Sequence, residues 1–148
     1  MRQEAVKRSV KMKQAIIYKA TELYKLGYNS SQAVCAAFAE YYGIDRDIAL
    51  QMASSFGDGT SHLGGTCGAA DALVILSGFE KKNVIPDDPQ TREDNYKMVQ
   101  ALIAEFKRRH GSIFCKDLRG NYEPKCLAHC LKLVQSSVEI YADHIGLK

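Results

Sequence analysis

The chain has 148 residues, of which 46% are apolar, and a formal net charge of +3 at pH 7. A chain of this length can bury a continuous core without disulfide or metal staples, so we expect a single domain over residues 1–148. The small net charge argues against binding to nucleic acid. The lack of a run of 18 apolar residues argues against a membrane span.

The N-terminal residues are charged and lead into no apolar run long enough for a signal peptide. We therefore expect a cytoplasmic protein, in a compartment where thiols stay reduced. Five cysteines are present, an odd number that argues against a structural disulfide framework. Packing, metal ligation and redox chemistry remain as their roles.

Apolar residues recur at helical spacing along most of the chain, and the strict alternation of a half-buried strand is sustained nowhere. The pattern predicts an all-α fold, a bundle of about six helices. The first three helices are predicted over residues 3–26, from Asn29 or Ser30 to Gly43, and from about Asp45 to Phe56.

A loop rich in glycine, from Gly57 to Gly68, precedes the predicted fourth helix, which is capped by Thr66 and runs to about Gly78. A polar linker with Pro86 and Pro89 follows. The fifth helix is predicted from about Glu93 to His110, with Gly111 as its stop, and the sixth from about Pro124 to Ile145.

Cys67 follows Gly64, Gly65 and Thr66 and lies in the first turn of the predicted fourth helix. Unpaired backbone N–H groups and the positive end of the helix dipole stabilise a thiolate there, so we expect a lowered pKa. Gly64, Gly65, Thr66 and Gly68 are the backbone groups expected to contact a bound cofactor. The alternative is that Cys67 is a small buried apolar residue.

The remaining cysteines divide into ligand candidates and a packing candidate. Cys126 and Cys130 are four residues apart on one helix face, where Cβ atoms lie about 5–6 Å apart. That spacing disfavours a relaxed disulfide but lets both sulfurs reach one metal ion or cluster. Cys115 precedes Lys116, whose charge favours a thiolate. Cys35 lies among alanines, and packing is the favoured interpretation.

The order and spacing of these motifs resemble the C_GCAxxG_C_C family of redox-active proteins. The matching segments are residues 27–34, 55–57, 64–69, 106–118 and 130–134. The resemblance implies a small helical protein whose cysteines bind a redox centre or undergo thiol chemistry, and related domains are linked to iron–sulfur clusters. Two positions differ, because Ser30 replaces the first family cysteine and Ala72 replaces the last glycine of the motif.

We therefore predict a redox protein for electron transfer in which Cys67, Cys115 and Cys130, the candidate catalytic residues, converge. Together with Cys126 they form the candidate metal ligands, and an iron–sulfur cluster or another soft metal is the expected cofactor. Covalent haem is not expected, because no Cys-x-x-Cys-His is present. Nucleotide binding is not expected either, because Gly65 occupies the position of the phosphate-binding lysine.

Two alternatives remain open at this point. The first is a metal-free thiol oxidoreductase in which Cys67 attacks and Cys115 or Cys130 resolves. The second is a non-catalytic helical accessory module that docks on a transporter or a redox partner protein. A homodimer is expected only from the general frequency of symmetric dimers.

Overall fold

The computed structural model describes residues 1–80, 84–119 and 127–148, and these residues form seven helices and no β-strand. The helices are α1 (Arg2–Lys25), α2 (Ser30–Ala37), α3 (Arg46–Ala53), α4 (Gly68–Ser77), α5 (Pro89–His110), α6 (Cys115–Arg119) and α7 (Leu127–His144). The all-α prediction is confirmed. The helix beyond the six expected is α6, a short helix where a loop was predicted.

Helices α2, α4 and α7 form the centre of the bundle and run in the same direction. Each packs against the other two. Their first turns meet around one cavity. At the opposite end, the ring of Tyr42 lies 5.6 Å from that of Phe79 and 6.4 Å from that of Tyr141. The positive ends of three helix dipoles are therefore directed at the same cavity.

Small side chains let α2 and α4 approach closely, because alanine adds little bulk between helix backbones. The buried alanines of these two helices are Ala33, Ala36, Ala37, Ala69, Ala70 and Ala72. Buried hydroxyls join α7 to α4, since Ser137 Oγ donates to the Ala69 carbonyl and Tyr141 Oη donates to the Leu76 carbonyl, both at 2.8 Å. Buried polar groups paired in this way fix the register of the two helices.

Helix ends follow local sequence signals, with several corrections to the predicted bounds. The α5 helix begins at Pro89, which was placed in a linker, because Asp88 caps it and proline suits the first helical position. Gly111 ends α5 with a left-handed φ of 85°, as expected. Cys67, rather than Thr66, is the N-cap residue of α4. The predicted start of the sixth helix near Pro124 lies outside the described residues.

A left-handed turn over Gly57–His62 lies between α3 and α4. Asp58, Gly59, Thr60 and Ser61 have φ between 54° and 68°, and His62 has φ of 65°. Left-handed backbone costs about 1–2 kcal/mol for each residue other than glycine. The sequence predicted unusual dihedral angles here because of the glycines, but most of the residues that adopt them have side chains.

The length and the apolar character of a helix decide whether it can cross a membrane. In the described part of the chain, no helix combines the length and the apolar character that crossing a bilayer requires.

We expect Thr60→Gly to stabilise the fold by about 0.5–1 kcal/mol. Glycine removes the steric cost of a β-branched residue at φ of 57°, and this gain exceeds its entropic cost in the unfolded chain. Urea denaturation measures the change. The control is Thr21→Gly in the interior of α1, which should destabilise the protein. A loss at position 60 equal to that at position 21 would contradict the strain described for the turn.

Candidate functional site

Three cysteines from distant parts of the chain line one cavity of about 190 Å³. Cys67 caps α4, Cys115 begins α6, and Cys130 lies in the first turn of α7. All three are free thiols. The structure thus brings together Cys67, Cys115 and Cys130, the three residues whose convergence the sequence predicted.

Two backbone hydrogen bonds join the segment before α4 to the segment before α6. The Cys67 N–H donates to the Ile113 carbonyl at 2.7 Å, and the Cys115 N–H donates to the Gly65 carbonyl at 3.1 Å. These bonds form an isolated antiparallel bridge. Side chains alternate between the two faces of such a pair, so Cys67 and Cys115 point to the same face.

Cys67 and Cys115 occupy diagonal positions across this bridge. Diagonal residues of an antiparallel pair have Cα atoms about 7–8 Å apart. A relaxed disulfide needs a Cα separation of about 4.4–6.8 Å. The bridge therefore sets the two sulfurs beside one cavity without favouring a bond between them.

The rest of the cavity wall mixes polar and apolar side chains, with Leu118 and Leu133 among the apolar ones. Ser30, the position at which the first family cysteine was expected from the sequence, lines the cavity together with Tyr24, Asp58 and Arg119. Cys126, the predicted substitute ligand, lies outside the described residues.

Cys35 is separate from this site. Its side chain is buried in the core and does not line the cavity. Burial raises the pKa of its thiol to about 12. This position agrees with the packing interpretation.

Of the backbone groups predicted to contact a cofactor, only Gly68 lines the cavity. Gly64, Gly65 and Thr66 belong to the glycine-rich loop that precedes α4. In this loop the Gly65 N–H donates to the Gly59 carbonyl at 2.9 Å. Contact of these three residues with a cofactor stays a prediction, and in this structure the Gly65 backbone helps to build the loop.

Two glycines permit close contacts at the site. A Cβ atom at Gly68 would lie 3.0 Å from the Phe56 carbonyl oxygen and 3.2 Å from the Ser31 nitrogen. A Cβ atom at Gly59 would lie 2.8 Å from Cys115 Cβ. Both contacts are tighter than a side chain tolerates, so these glycines bring α4 to α2 and the left-handed turn to α6.

Burial dominates the electrostatics of Cys67. It raises the pKa of the thiol to about 11, although the backbone N–H groups of Ala69 and Ala70 act in the opposite direction. The expected lowered pKa is therefore wrong, because loss of solvation outweighs the helix N-terminus.

The pKa of the Cys115 thiol is also raised. Burial raises this pKa, and the charge of Arg119 lowers it in part. Lys116, which the sequence favoured as the activating charge, is exposed and does not line the cavity. Arg119 takes that place because it lies four residues after Cys115, on the same helix face.

Arg119 also forms an ion pair with Asp58. The guanidinium lies 2.5 Å from the carboxylate, and the Arg119 side chain is 24% exposed. Tyr24, Asp58 and Arg119 were not among the site residues predicted from the sequence. Their only sequence signal is polar character next to a cysteine or glycine motif, which many surface residues share.

The described residues contain no group of three or more His, Cys, Asp or Glu side chains arranged to hold a single metal ion. The three thiols nonetheless line one cavity, and thiolates are the ligand type that soft metals and iron–sulfur clusters prefer.

Asp71 is a further buried polar group, one turn beyond Cys67 on α4. Its Oδ2 atom is buried and has no hydrogen-bond partner among the described residues. Burial raises the pKa of this carboxyl from 3.8 to about 6. The carboxylate therefore opposes folding once it is charged.

We expect Asp71→Asn to stabilise the protein by about 1 kcal/mol at pH 7.5 and by much less at pH 4. A carboxyl whose pKa is raised by folding favours the folded state while it is protonated, and this contribution is lost between about pH 4 and pH 6. The magnitude is below that of the full pKa shift because Asp71 is only half-buried. Thermal unfolding across this range measures it, with exposed Asp87→Asn as the control. An equal effect at both pH values would contradict the assignment.

Comparison with known proteins places the chain in a family. No curated protein and no solved structure matches the chain significantly. The family model described as "Putative redox-active protein (C_GCAxxG_C_C)" matches residues 28–144. Since this match covers most of the sequence, the chain belongs to the C_GCAxxG_C_C family.

Proposed function

We propose that Cys67, Cys115 and Cys130 together hold one thiolate-ligated redox centre, an iron–sulfur cluster, through which the protein transfers electrons. The observation that carries this proposal is the meeting of three thiols, from three different helix starts, around one cavity. When bound, the cluster supplies reversible one-electron chemistry.

The type of donor supports a cluster. Three free thiols, those of Cys67, Cys115 and Cys130, line one cavity. Soft thiolates are also the ligands that such centres prefer.

The surroundings stabilise negative charge at the cavity. The first turns of α2, α4 and α7 and the Arg119 side chain all present positive or partially positive groups to it. The thiols themselves stay protonated because burial raises the pKa of Cys67 and Cys115. Binding of a metal centre must therefore release protons, and its affinity should rise with pH.

A metal-free thiol oxidoreductase is the weaker function. It requires one thiolate of low pKa, whereas burial raises the pKa of Cys67 to about 11. Of its two candidate resolving residues, Cys115 and Cys130, Cys115 is diagonal to Cys67 across their bridge, a spacing that does not favour a disulfide.

Electrons would reach the site from a redox partner protein. Phe114, next to Cys115, is 45% exposed, and Leu63 in the glycine-rich approach is 81% exposed. Exposed apolar side chains beside a redox site are a natural contact for such a partner. A reducing compartment, such as the cytoplasm, would keep the free thiols available for ligation.

Replacement of a single cavity cysteine by alanine should abolish the centre. In protein purified without oxygen, Cys67→Ala, Cys115→Ala and Cys130→Ala should each lower the bound iron and the visible absorption by about tenfold or more, because even outer-shell partners of metal sites contribute 10- to 100-fold. Metal analysis and visible spectroscopy measure the loss.

The matched control is Cys35→Ala, which removes a buried sulfur that does not line the cavity and should keep the centre. A colourless, metal-free wild-type protein with all thiols free would refute the proposal. If the variants at positions 67 and 130 kept full binding to a redox partner, the accessory-module interpretation would be favoured instead.

The identity of the fourth ligand can be tested by removing the cysteine at position 126 and introducing one at position 30. If Cys126 completes the set, Cys126→Ala should speed the loss of the centre to a chelator by about tenfold. Adding Ser30→Cys to that variant should restore slow loss, because Ser30 lines the same cavity. Bleaching of the visible absorption measures the rate.

The control for this exchange is Ser55→Cys, which adds an exposed thiol that does not line the cavity. Restoration by both substitutions alike, or by neither, would contradict the placement of position 30 as a ligand position.

A further inference from the structure

The Asp58–Arg119 ion pair is the one pair of opposite charges in the wall of the cysteine cavity, as far as the described residues go. Arg119 follows Cys115 by one turn of α6, and Asp58 lies on the left-handed turn that packs against Cys115. Both side chains line the same cavity as Cys115 and pair with each other there.

The two charges act on the cysteines with opposite sign. The positive charge of Arg119 favours negative charge on a neighbouring sulfur, whereas the negative charge of Asp58 disfavours it. Because Asp58 pairs with Arg119, it also offsets part of the positive charge that the guanidinium presents to the cavity. Removal of one partner should thus have the reverse effect of removal of the other.

We propose that Arg119 is the counter-charge of the cysteine site and that Asp58 competes for it, so that this pair sets the reduction potential of the bound centre. The inference rests on the proposed function, since it concerns the centre held by Cys67, Cys115 and Cys130. It assigns to Asp58 and Arg119 a role that neither the family match nor the cysteine motif contains.

The left-handed turn explains how Asp58 is held in place. Asp58 adopts φ of 54°, and the turn is tied by hydrogen bonds from Gly65 N–H to the Gly59 carbonyl and from Ser61 Oγ to the Ser55 carbonyl. Strained backbone persists where the surrounding structure enforces it, and such segments cluster at functional sites. Here the strained turn holds the Asp58 carboxylate beside the Arg119 guanidinium.

The charge balance of the step is simple. In the experiment below dithionite would supply one electron, and this electron would add one negative charge within the cavity that Asp58 and Arg119 line. No bond between protein atoms forms or breaks. A nearby positive charge favours this gain, and a nearby negative charge opposes it.

The experiment is a spectroscopic redox titration of the loaded protein and its variants. Arg119→Gln should shift the midpoint potential to a more negative value, because it removes the positive charge. Asp58→Asn should shift it to a more positive value, and asparagine tolerates the left-handed backbone at this position. Arg119→Lys should keep most of the wild-type potential.

The matched control is Lys116→Gln, which removes one positive charge from the same short helix at an exposed position outside the cavity. It should shift the potential much less than Arg119→Gln, because solvent screens exposed charges. Circular dichroism and thermal unfolding verify that each variant folds. If Arg119→Gln does not fold, the signs of Asp58→Asn and Arg119→Lys decide.

Shifts of the same sign in Arg119→Gln and Asp58→Asn, or a shift in Lys116→Gln equal to that in Arg119→Gln, would overturn the inference and leave the proposed function standing. Absence of any bound centre in the wild-type protein would overturn both.

Discussion

Two hydrogen bonds, from Cys67 N–H to the Ile113 carbonyl and from Cys115 N–H to the Gly65 carbonyl, hold the candidate site together. They join the start of α4 to the start of α6, which are remote in sequence. Because side chains alternate across such a pair, both cysteines face one cavity. The parallel course of α2, α4 and α7 then brings Cys130 and Ser30 to the same place.

Burial and nearby positive charge have opposite effects on the ionisation of the cavity thiols. Helix starts and Arg119 favour negative charge at the cavity, but burial keeps the Cys67 thiol protonated. Strain accompanies this arrangement, since the turn that carries Asp58 is left-handed. These features are consistent with the proposal that the cavity holds a thiolate-ligated centre, because such a centre would supply positive charge to the sulfurs.

Much of this could be predicted from the sequence. Helical periodicity indicated an all-α bundle, and the cysteine and glycine motifs indicated that Cys67, Cys115 and Cys130 would meet. The bounds of α5 were missed because Pro89 indicates a linker and a first helical turn equally well. The pKa of Cys67 was missed because a sequence shows that a residue starts a helix but not how deeply it is buried.

Other parts of the site depend on contacts that no local pattern encodes. Asp58 and Arg119 are far apart in the chain and meet only because Gly59 lets the left-handed turn pack against Cys115. The burial of Asp71 was not predicted, because a single acidic residue in an apolar helix is commonly exposed. Here one of its carboxylate oxygens is buried.

Anomalous diffraction at the iron absorption edge, from crystals grown without oxygen, tests the central claim most directly. The account predicts an anomalous peak in the cavity, in bonding contact with the sulfur atoms of Cys67, Cys115 and Cys130. A well-ordered cavity without such a peak, with the three thiols free, would contradict it.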